Sequence, residues 1–366
     1  MQEETLYQVA LTLVPDLGVV RARQLVTQLG SASAVFKAKK KEIAAVEGIG
    51  ETCARSVKGW NAFAEAEKEL DFAEKNGIQV LFLTDPAYPQ RLLHCYDPPT
   101  VLYYKGSADL NRPRIISIIG TRSHTDYGRQ VTEQLVSALQ TQQVTVVSGL
   151  AFGIDAIAHR AALQNQLPTI GILAHGLDTL YPMQHRTLAR DMLVNGALLT
   201  EFRSGTEPDK HNFPKRNRIA AGLADVTVVI ETPVKGGSMI TAELACNYNR
   251  DLFAVPGRIG DHKSSGCLQL IKQNKAIIYT SPEELLDTMG WIEMKKTPVK
   301  KQRELFLEFT GEEKKIVDLL LIQESMPLDL LYLQSGLSSS TVAAVLLKLE
   351  LQNVVISLPG KMYRLT

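Results

Sequence analysis

The chain has 366 residues, of which 45% are hydrophobic and 22% charged, and its formal net charge is +1 at pH 7. That length predicts two or three domains with a sizeable core, and a charge so near zero excludes any global attraction to a polyanion, so nucleic-acid binding has to come from a local patch. The longest apolar runs fall short of the roughly eighteen residues of a membrane span, and the acidic start MQEETLYQVALTLVPDLG lacks the basic segment and cleavage site of a secretory signal, which together predict a cytoplasmic protein.

Residues 1–76 read as short helices separated by small turns, a helical domain of helix-hairpin-helix or SAM-like type. Two turns resemble each other: Val14-Pro15-Asp16-Leu17-Gly18 before a helix over Val19–Leu29, and Val46-Glu47-Gly48-Ile49-Gly50 before a helix over Glu51–Trp60. Glycine permits such tight turns, and the free N–H groups of the following helix suit a phosphate; a plain helical bundle with glycine-capped corners reads the same way.

From 77 to 290 short β-branched runs alternate with helices. The strands expected are Gln79–Leu83, Ile115–Ile119, Val144–Val147, Thr169–Leu173, Ala197–Thr200, Val226–Ile230 and Leu252–Val255, several of them apolar throughout, as in a parallel sheet buried on both faces. Helices over Tyr127–Thr141, Ile154–Gln164 and Thr241–Asn249 complete a doubly wound, mostly parallel α/β domain of extended Rossmann-like type. Residues 291–308, with Lys295, Lys296, Pro298, Lys300 and Lys301, read as a solvated linker. Residues 309–366 then give three helices and a terminal hairpin around Pro359-Gly360, the plan of a winged helix.

Ligands of open α/β sheets sit beyond the carboxyl ends of the strands, and four loops fall there. They are Gly120-Thr121-Arg122-Ser123, the segment from Ser148 and Gly149 to Asp155, Ala174-His175-Gly176-Leu177-Asp178, and Lys235-Gly236-Gly237-Ser238. Each joins small residues to a helix start that favours negative charge. None has the G-x-x-x-x-G-K-[ST] or G-x-G-x-x-G spacing, so neither nucleotide hydrolysis nor dinucleotide chemistry has its usual support, and no cofactor is expected. The densest basic stretch, Phe202 to Arg218, reads as a loop because Gly205, Pro208 and Pro214 interrupt regular structure. Its cations Lys210, Lys215, Arg216 and Arg218 suit backbone phosphates, and Phe213 offers a face on which a base could stack; a buried Phe213 and arginines paired with Glu201 or Glu231 are the alternative. Asp155 and His159, four apart on one helix, would make either an acid–base pair or a helix-internal hydrogen bond. His175, Asp178 and His185 lack metal-ligand spacing, and Cys53, Cys95, Cys246 and Cys267 form no Cys-x-x-Cys pair, so no metal is expected.

Taken together, Gly120-Thr121-Arg122 with Tyr127-Gly128, Ser148-Gly149-Leu150-Ala151-x-Gly153-Ile154-Asp155 with His159, and Gly176-Leu177-Asp178 with Tyr181-Pro182 resemble the DNA-processing protein A (Smf) family. Phe213-Pro214-x-Arg216-Asn217-Arg218, Gly237-Ser238-x-x-Thr241-Ala242 and Val255-Pro256-Gly257 extend the resemblance through residue 278. It implies a non-catalytic Rossmann-type protein that binds single-stranded DNA, dimerises and loads the RecA recombinase during natural transformation. It also implies that Arg122, Lys210 and Phe213 contact DNA; the loops and the basic stretch add Gly120, Thr121, Ser148, Gly149, Lys215, Arg216, Asn217, Arg218, Gly237 and Ser238 as candidates. Leu268, Leu270 and Ile271 are the candidates for a dimer face, a stretch that reads equally well as core. Two features depart from the pattern: Thr121 stands where serine is commoner, and the third helix of the winged-helix segment carries only Lys348 as a base, which favours an accessory or protein-contact role there. A nucleoside-monophosphate phosphoribohydrolase of the lysine-decarboxylase-like group and a winged-helix regulator of duplex DNA are the competing readings; the stretch Gly236 to Glu243 departs from the G-G-x-G-T-x-x-E loop of the former.

Overall fold

The computed structural model describes residues 2–292, 309–323 and 325–366, so most of the linker expected over 291–308 lies outside the described residues. Contacts divide the chain into two units, Met1–Pro282 and Glu283–Thr366.

Six helices open the first unit: α1 (Gln2–Leu13), α2 (Val19–Leu29), α3 (Ala32–Lys37), α4 (Lys40–Ala44), α5 (Gly50–Gly59) and α6 (Phe63–Lys75). The two similar turns close on the same bond, Leu17 N–H to Val14 O at 3.3 Å and Ile49 N–H to Val46 O at 3.2 Å. Glycine is needed in the second, where Gly48 and Gly50 have φ of +75° and +69°. Leu11, Leu25, Ile43 and Val57 of these helices belong to the same apolar core as Phe82, Leu102 and Tyr103 of the sheet, while Val9, Ala10 and Ala66 form a smaller cluster of the helical segment itself.

The sheet has nine strands among the described residues: β1 (Gln79–Phe82), β2 (Val101–Gly106), β3 (Ile115–Ile119), β4 (Thr145–Ser148), β5 (Thr169–Ile172), β6 (Ala197–Thr200), β7 (Val226–Val229), β8 (Asp251–Ala254) and β9 (Ile277–Ile278). Their order is β1-β2-β6-β5-β4-β3-β7-β8-β9. The run from β6 to β9 is parallel, and β1 and β2 add an antiparallel edge. β3, β4, β5, β6 and β7 are buried at every residue, which is why they read as unbroken apolar runs. β2 and β9 were not among the expected strands: β2 hides behind Pro98-Pro99, and β9 is a two-residue edge.

Helices α7 (Gln90–Leu93), α8 (Asp126–Ala138), α9 (Ile154–Gln164), α10 (Arg186–Asn195), α11 (Asn212–Leu223), α12 (Gly237–Asn247) and α13 (Ser265–Lys272) connect the strands. The order reverses at β3, whose neighbours are β4 on one side and β7 on the other. The loops leaving β3 and β7 must therefore part at their carboxyl ends, and a crevice opens between them.

The second unit holds α14 (Pro282–Thr288), α15 (Gly311–Ile322), α16 (Leu328–Ser335) and α17 (Ser339–Leu351), with three strands, β10 (Met326–Pro327), β11 (Val355–Leu358) and β12 (Met362–Leu365), in a sheet of order β10-β12-β11. Ile316, Leu331, Val342, Leu346, Leu349 and Val355 form its core, the three-helix, winged arrangement expected. Among the described residues no single helix is long and apolar enough to cross a membrane.

Candidate nucleic-acid interface

The crevice at the reversal point has a volume of about 450 Å³ and is walled by Gly120–Arg122 after β3, Gly149 and Ala151 after β4, and Gly236–Ser238 at the start of α12; Phe213, Arg216 and Asn217 of α11 close it. A second hollow of about 500 Å³ shares Arg122, Phe213, Asn217 and Gly237 with it and is bounded further by Tyr181, Pro208, Lys210 and Ile240. Phe213 is half-buried and stands where the two meet. The Arg122 guanidinium lies 5.3 Å from its ring centroid, a cation–π distance, and the Tyr181 ring packs edge-on at 6.1 Å. Arg122, Lys210 and Lys215 are exposed, so their charge is available to a solvent-borne anion.

The basic stretch is only partly a loop. Asn212–Leu223 is helical, so Phe213, Pro214, Lys215, Arg216, Asn217 and Arg218 occupy the first two turns of α11. Pro214 is the third helical residue, where no intrahelical bond asks for its missing N–H. Helical geometry then separates the cations that a loop reading had grouped. Arg216 points inward: it is 5% exposed and donates to the carbonyls of Gly149 and Ile172. Burial pushes it down to about 10, opposed by the nearby Asp155 carboxylate, so it remains a cation. Arg218 is also turned away, donating to Asp97 O and pairing with Glu201. Both were candidates for phosphate contacts; Arg218 makes the Glu201 pair that was the alternative, and Arg216 is engaged with backbone carbonyls. Asn217 bridges elements, its amide donating to Gly237 O at 3.4 Å.

Two of the four anion-type loops are filled by the protein's own carboxylates. Glu231, 1% exposed, lies over the start of α8, accepting from Thr125 N–H at 2.9 Å and from the Thr125 hydroxyl. Gly128 leaves room for this carboxyl, because a Cβ there would sit 2.6 Å from it and push it aside. Asp155 accepts from Gly149 N–H at 3.1 Å. Burial pushes its carboxyl up, against the pull of Arg216 and of the Ala151 and Gly149 N–H groups. The Ser148 hydroxyl is buried and donates to Ile118 O at 2.6 Å, so it is not free for DNA. Gly120 is small because Ile154 would lie 2.5 Å from a Cβ, and Thr121 N–H is bound to Glu231 O at 2.7 Å. In the third loop His175 Nε2 accepts from Tyr181 N–H at 3.2 Å, which leaves the proton on Nδ1 to reach Gly176 O at 2.9 Å. The fourth loop is different. Gly236 caps α12 without any side-chain bond, and the space around Gly237 is open. Of the four helix starts, that of α12 is the one left facing the crevice with Arg122.

Asp155 and His159 make neither bond foreseen for them. His159 is fully buried and hydrogen-bonds Thr169 Oγ1 at 2.6 Å, and burial pushes it down to about 3, so it stays neutral. Among the described residues no group of three or more His, Cys, Asp or Glu side chains is placed to hold a metal ion. Leu270, offered as a dimer residue, is 0% exposed and belongs to the core, whereas Leu268 and Ile271 are half-buried.

A family model described as DNA recombination-mediator protein A matches residues 79–290, more than half of the chain. The chain belongs to that family. A second model, the DprA winged helix domain, matches residues 303–361. Among curated relatives, Protein Smf of Synechocystis is 36% identical over 79% of this chain and 73% of its own length. Protein Smf of Escherichia coli is 34% identical over 82% and 80%. The X-ray structure of DNA processing protein A from Streptococcus pneumoniae superposes with a TM-score of 0.68 at 31% identity, covering 77% of this chain and 97% of that one. A structure of DNA processing protein A from Helicobacter pylori, described as revealing its single-stranded DNA binding mode, gives a TM-score of 0.53 at 32% identity over 57% and 95%. Within this recombination-mediator fold, sequence reasoning had not assigned Tyr181, Pro208 or Ile240 to the site; only Tyr181 left a signal, as part of the Tyr181-Pro182 motif.

Proposed function

We propose that this recombination mediator binds single-stranded DNA along the crevice and its continuation, protects incoming strands and hands them to the RecA recombinase in natural transformation. The observation that carries the reading is the placement of one half-buried aromatic, Phe213, between two hollows whose rims hold the exposed cations Arg122 and Lys210. A single strand offers alternating charges and flat faces, and a ring flanked by cations complements both. The open start of α12 at Gly237 and Ser238 adds backbone N–H groups for a phosphate, and Lys215 extends the basic rim. A duplex has its bases stacked and cannot use the ring. Binding on this reading asks for no nucleotide, since none of the four loops has the spacing of a nucleotide-binding loop. Self-association through Leu268 and Ile271, beside the edge strand β9 with its exposed Ile277 and Ile278, fits the dimer. A cytoplasmic location follows from these partners.

A gel shift comparing a single strand with its duplex, without nucleotide, tests the core of the reading: preference for the single strand supports it, and equal or stronger duplex binding overturns it. RecA filament formation on strands coated with single-strand-binding protein, with and without this chain, tests the loading step.

A further inference from the structure

Helix α6 contains a carboxylate that its own fold does not require. Glu69 is 6% exposed, and its partners lie 135 residues away in the loop between β6 and α11: Ser204 N–H at 2.9 and 3.1 Å to the two carboxylate oxygens, and the Ser204 hydroxyl at 2.5 Å. One turn earlier, Glu65 pairs with Arg203 of the same loop at 3.0 Å, but both groups are half-exposed and the pair contributes little. A buried carboxylate accepting from both donors of one residue is a much stronger attachment, since losing it strands those donors.

We propose that Glu69 is a positioning residue of the DNA crevice, holding from the N-terminal helical segment the loop that presents Lys210 and Phe213. Two routes connect Ser204 to the crevice. Along the chain, Ser204 is six residues before Lys210 and nine before Phe213. Through space, the loop folds back so that Thr206 N–H meets Arg203 O at 3.2 Å and Thr206 O accepts Gly176 N–H at 3.0 Å. Gly176 admits the loop only because it lacks a side chain: a Cβ there would stand 2.5 Å from Arg203 O and 3.0 Å from Ser204 Cα. Gly176 O is held by His175, whose other ring nitrogen fixes Tyr181 N–H, and the Tyr181 ring packs on Phe213. Each link is a hydrogen bond or a close packing contact, so a displacement at Ser204 reaches the stacking ring. Glu69 itself lines neither hollow. The helical segment thereby sets how well the crevice is formed, and the inference rests on the crevice being the single-strand site.

The test uses the full chain, a fluorescent oligo(dT) and four variants: Glu69→Ala, Glu69→Gln, Ser204→Ala and Arg122→Ala. Affinity is read by anisotropy at several salt concentrations, and the loop by the rate of tryptic cleavage after Lys210, which is exposed. The expected result for Glu69→Ala is about a tenfold loss of affinity, with the salt slope flattened by no more than the ~0.7 of one phosphate contact, that of Lys210 on the released loop. Cleavage after Lys210 should accelerate, and thermal unfolding should remain cooperative. Glu69→Gln, which still offers an acceptor to Ser204, should recover most of the affinity, and Ser204→Ala should fall between. If Glu69→Ala does not fold, Ser204→Ala, a surface-loop change, carries the same comparison. Wild-type affinity and cleavage rate in the Glu69 and Ser204 variants, alongside a clear loss in Arg122→Ala, overturn the positioning role alone. Wild-type affinity in Arg122→Ala as well, with faster cleavage in Glu69→Ala, keeps the attachment of the loop and overturns the crevice as the site, and the positioning role with it.

Discussion

Arg122 and Arg216 lie 5.3 and 6.0 Å from the same Phe213 ring, yet they have different tasks. Arg122 is exposed and unencumbered, whereas Arg216 is spent on two carbonyls and on balancing Asp155. Replacing Arg122 or Lys210 by alanine should weaken single-strand binding and flatten the log–log salt slope by about 0.7 per phosphate contact. Phe213→Ala should cost on the order of 1–3 kcal/mol of binding through lost stacking, with the slope almost unchanged. Arg216→Ala should instead destabilise the fold, by roughly 3–5 kcal/mol, because it leaves Asp155 buried without its counter-ion; chemical denaturation distinguishes the two classes of variant. The residue types of this site were visible in the sequence: a cation after β3, and cations and an aromatic just before and within the first turns of α11. Which of the cations face outward was not, because that depends on the helical phase of Asn212–Arg218, and Pro214 disguised the helix as a loop. Glu231 was legible in the sequence only as a possible partner of the loop arginines; its place over the start of α8 was not foreseen, and Gly128 is a trace of it that is intelligible only once the carboxylate is seen beside it.

Among the elements, α8 and α15 show what a helix start requires. At α8 the N-terminal positive end is met by Glu231 from another strand's loop, and Gly128→Ala would place a methyl 2.6 Å from that carboxyl. The substitution should lower stability by about 1–3 kcal/mol, seen as a lower melting temperature, despite the better helix propensity of alanine. At α15 the start is closed by a capping box, with Glu313 accepting from Thr310 N–H at 2.8 Å and from Lys348 of α17 at 2.6 Å. The hydrogen bond from Lys348 and the Thr310 N–H hold the Glu313 carboxyl below its ordinary value of 4.5. A carboxylate depressed in the folded state adds stability that is fully present above its ordinary value and is lost as the pH falls through the folded one. The winged-helix core should therefore weaken in acid below about pH 4.5, and Glu313→Gln should remove that part of the dependence. Urea titrations at neutral and acid pH, followed through the ring signals of Tyr332 and Tyr363, which pack on this core, measure it. Strands were the most legible elements, since burial on both faces writes an unbroken apolar run; β2, although the longest strand of the sheet, was lost because it follows two prolines and ends in Lys105-Gly106.

Over the whole molecule, the order of segments was legible, but not their interdependence. Periodicity separates residues 1–76 from the sheet, yet their apolar faces close one core, and no pattern in the chain foretells that Glu69 meets Ser204. The winged-helix segment poses the opposite question, since its plan suggests DNA while its chemistry does not. Residues 309–366 carry five basic side chains against six acidic ones. The base on its third helix, Lys348, is bound to Glu313, and α17 presents exposed Leu347 and Leu351 where a DNA reader would carry amides and cations. Exposed Leu321, Ile322 and Leu333 on the neighbouring helices have the same character. A segment with no free positive stripe adds few phosphate contacts, and each missing contact is a missing unit of salt dependence. Deleting residues 309–366 should accordingly cost less than about tenfold in single-strand affinity, or ~1.4 kcal/mol, and should leave the salt slope at its full-length value. Titrating an oligo(dT) against both forms at matched salt checks it. A loss greater than tenfold with a flattened slope would mean that the winged helix grips phosphates directly. A loss without a change in slope would instead place its contribution in protein–protein contact between chains on the same strand, where its leucines could act.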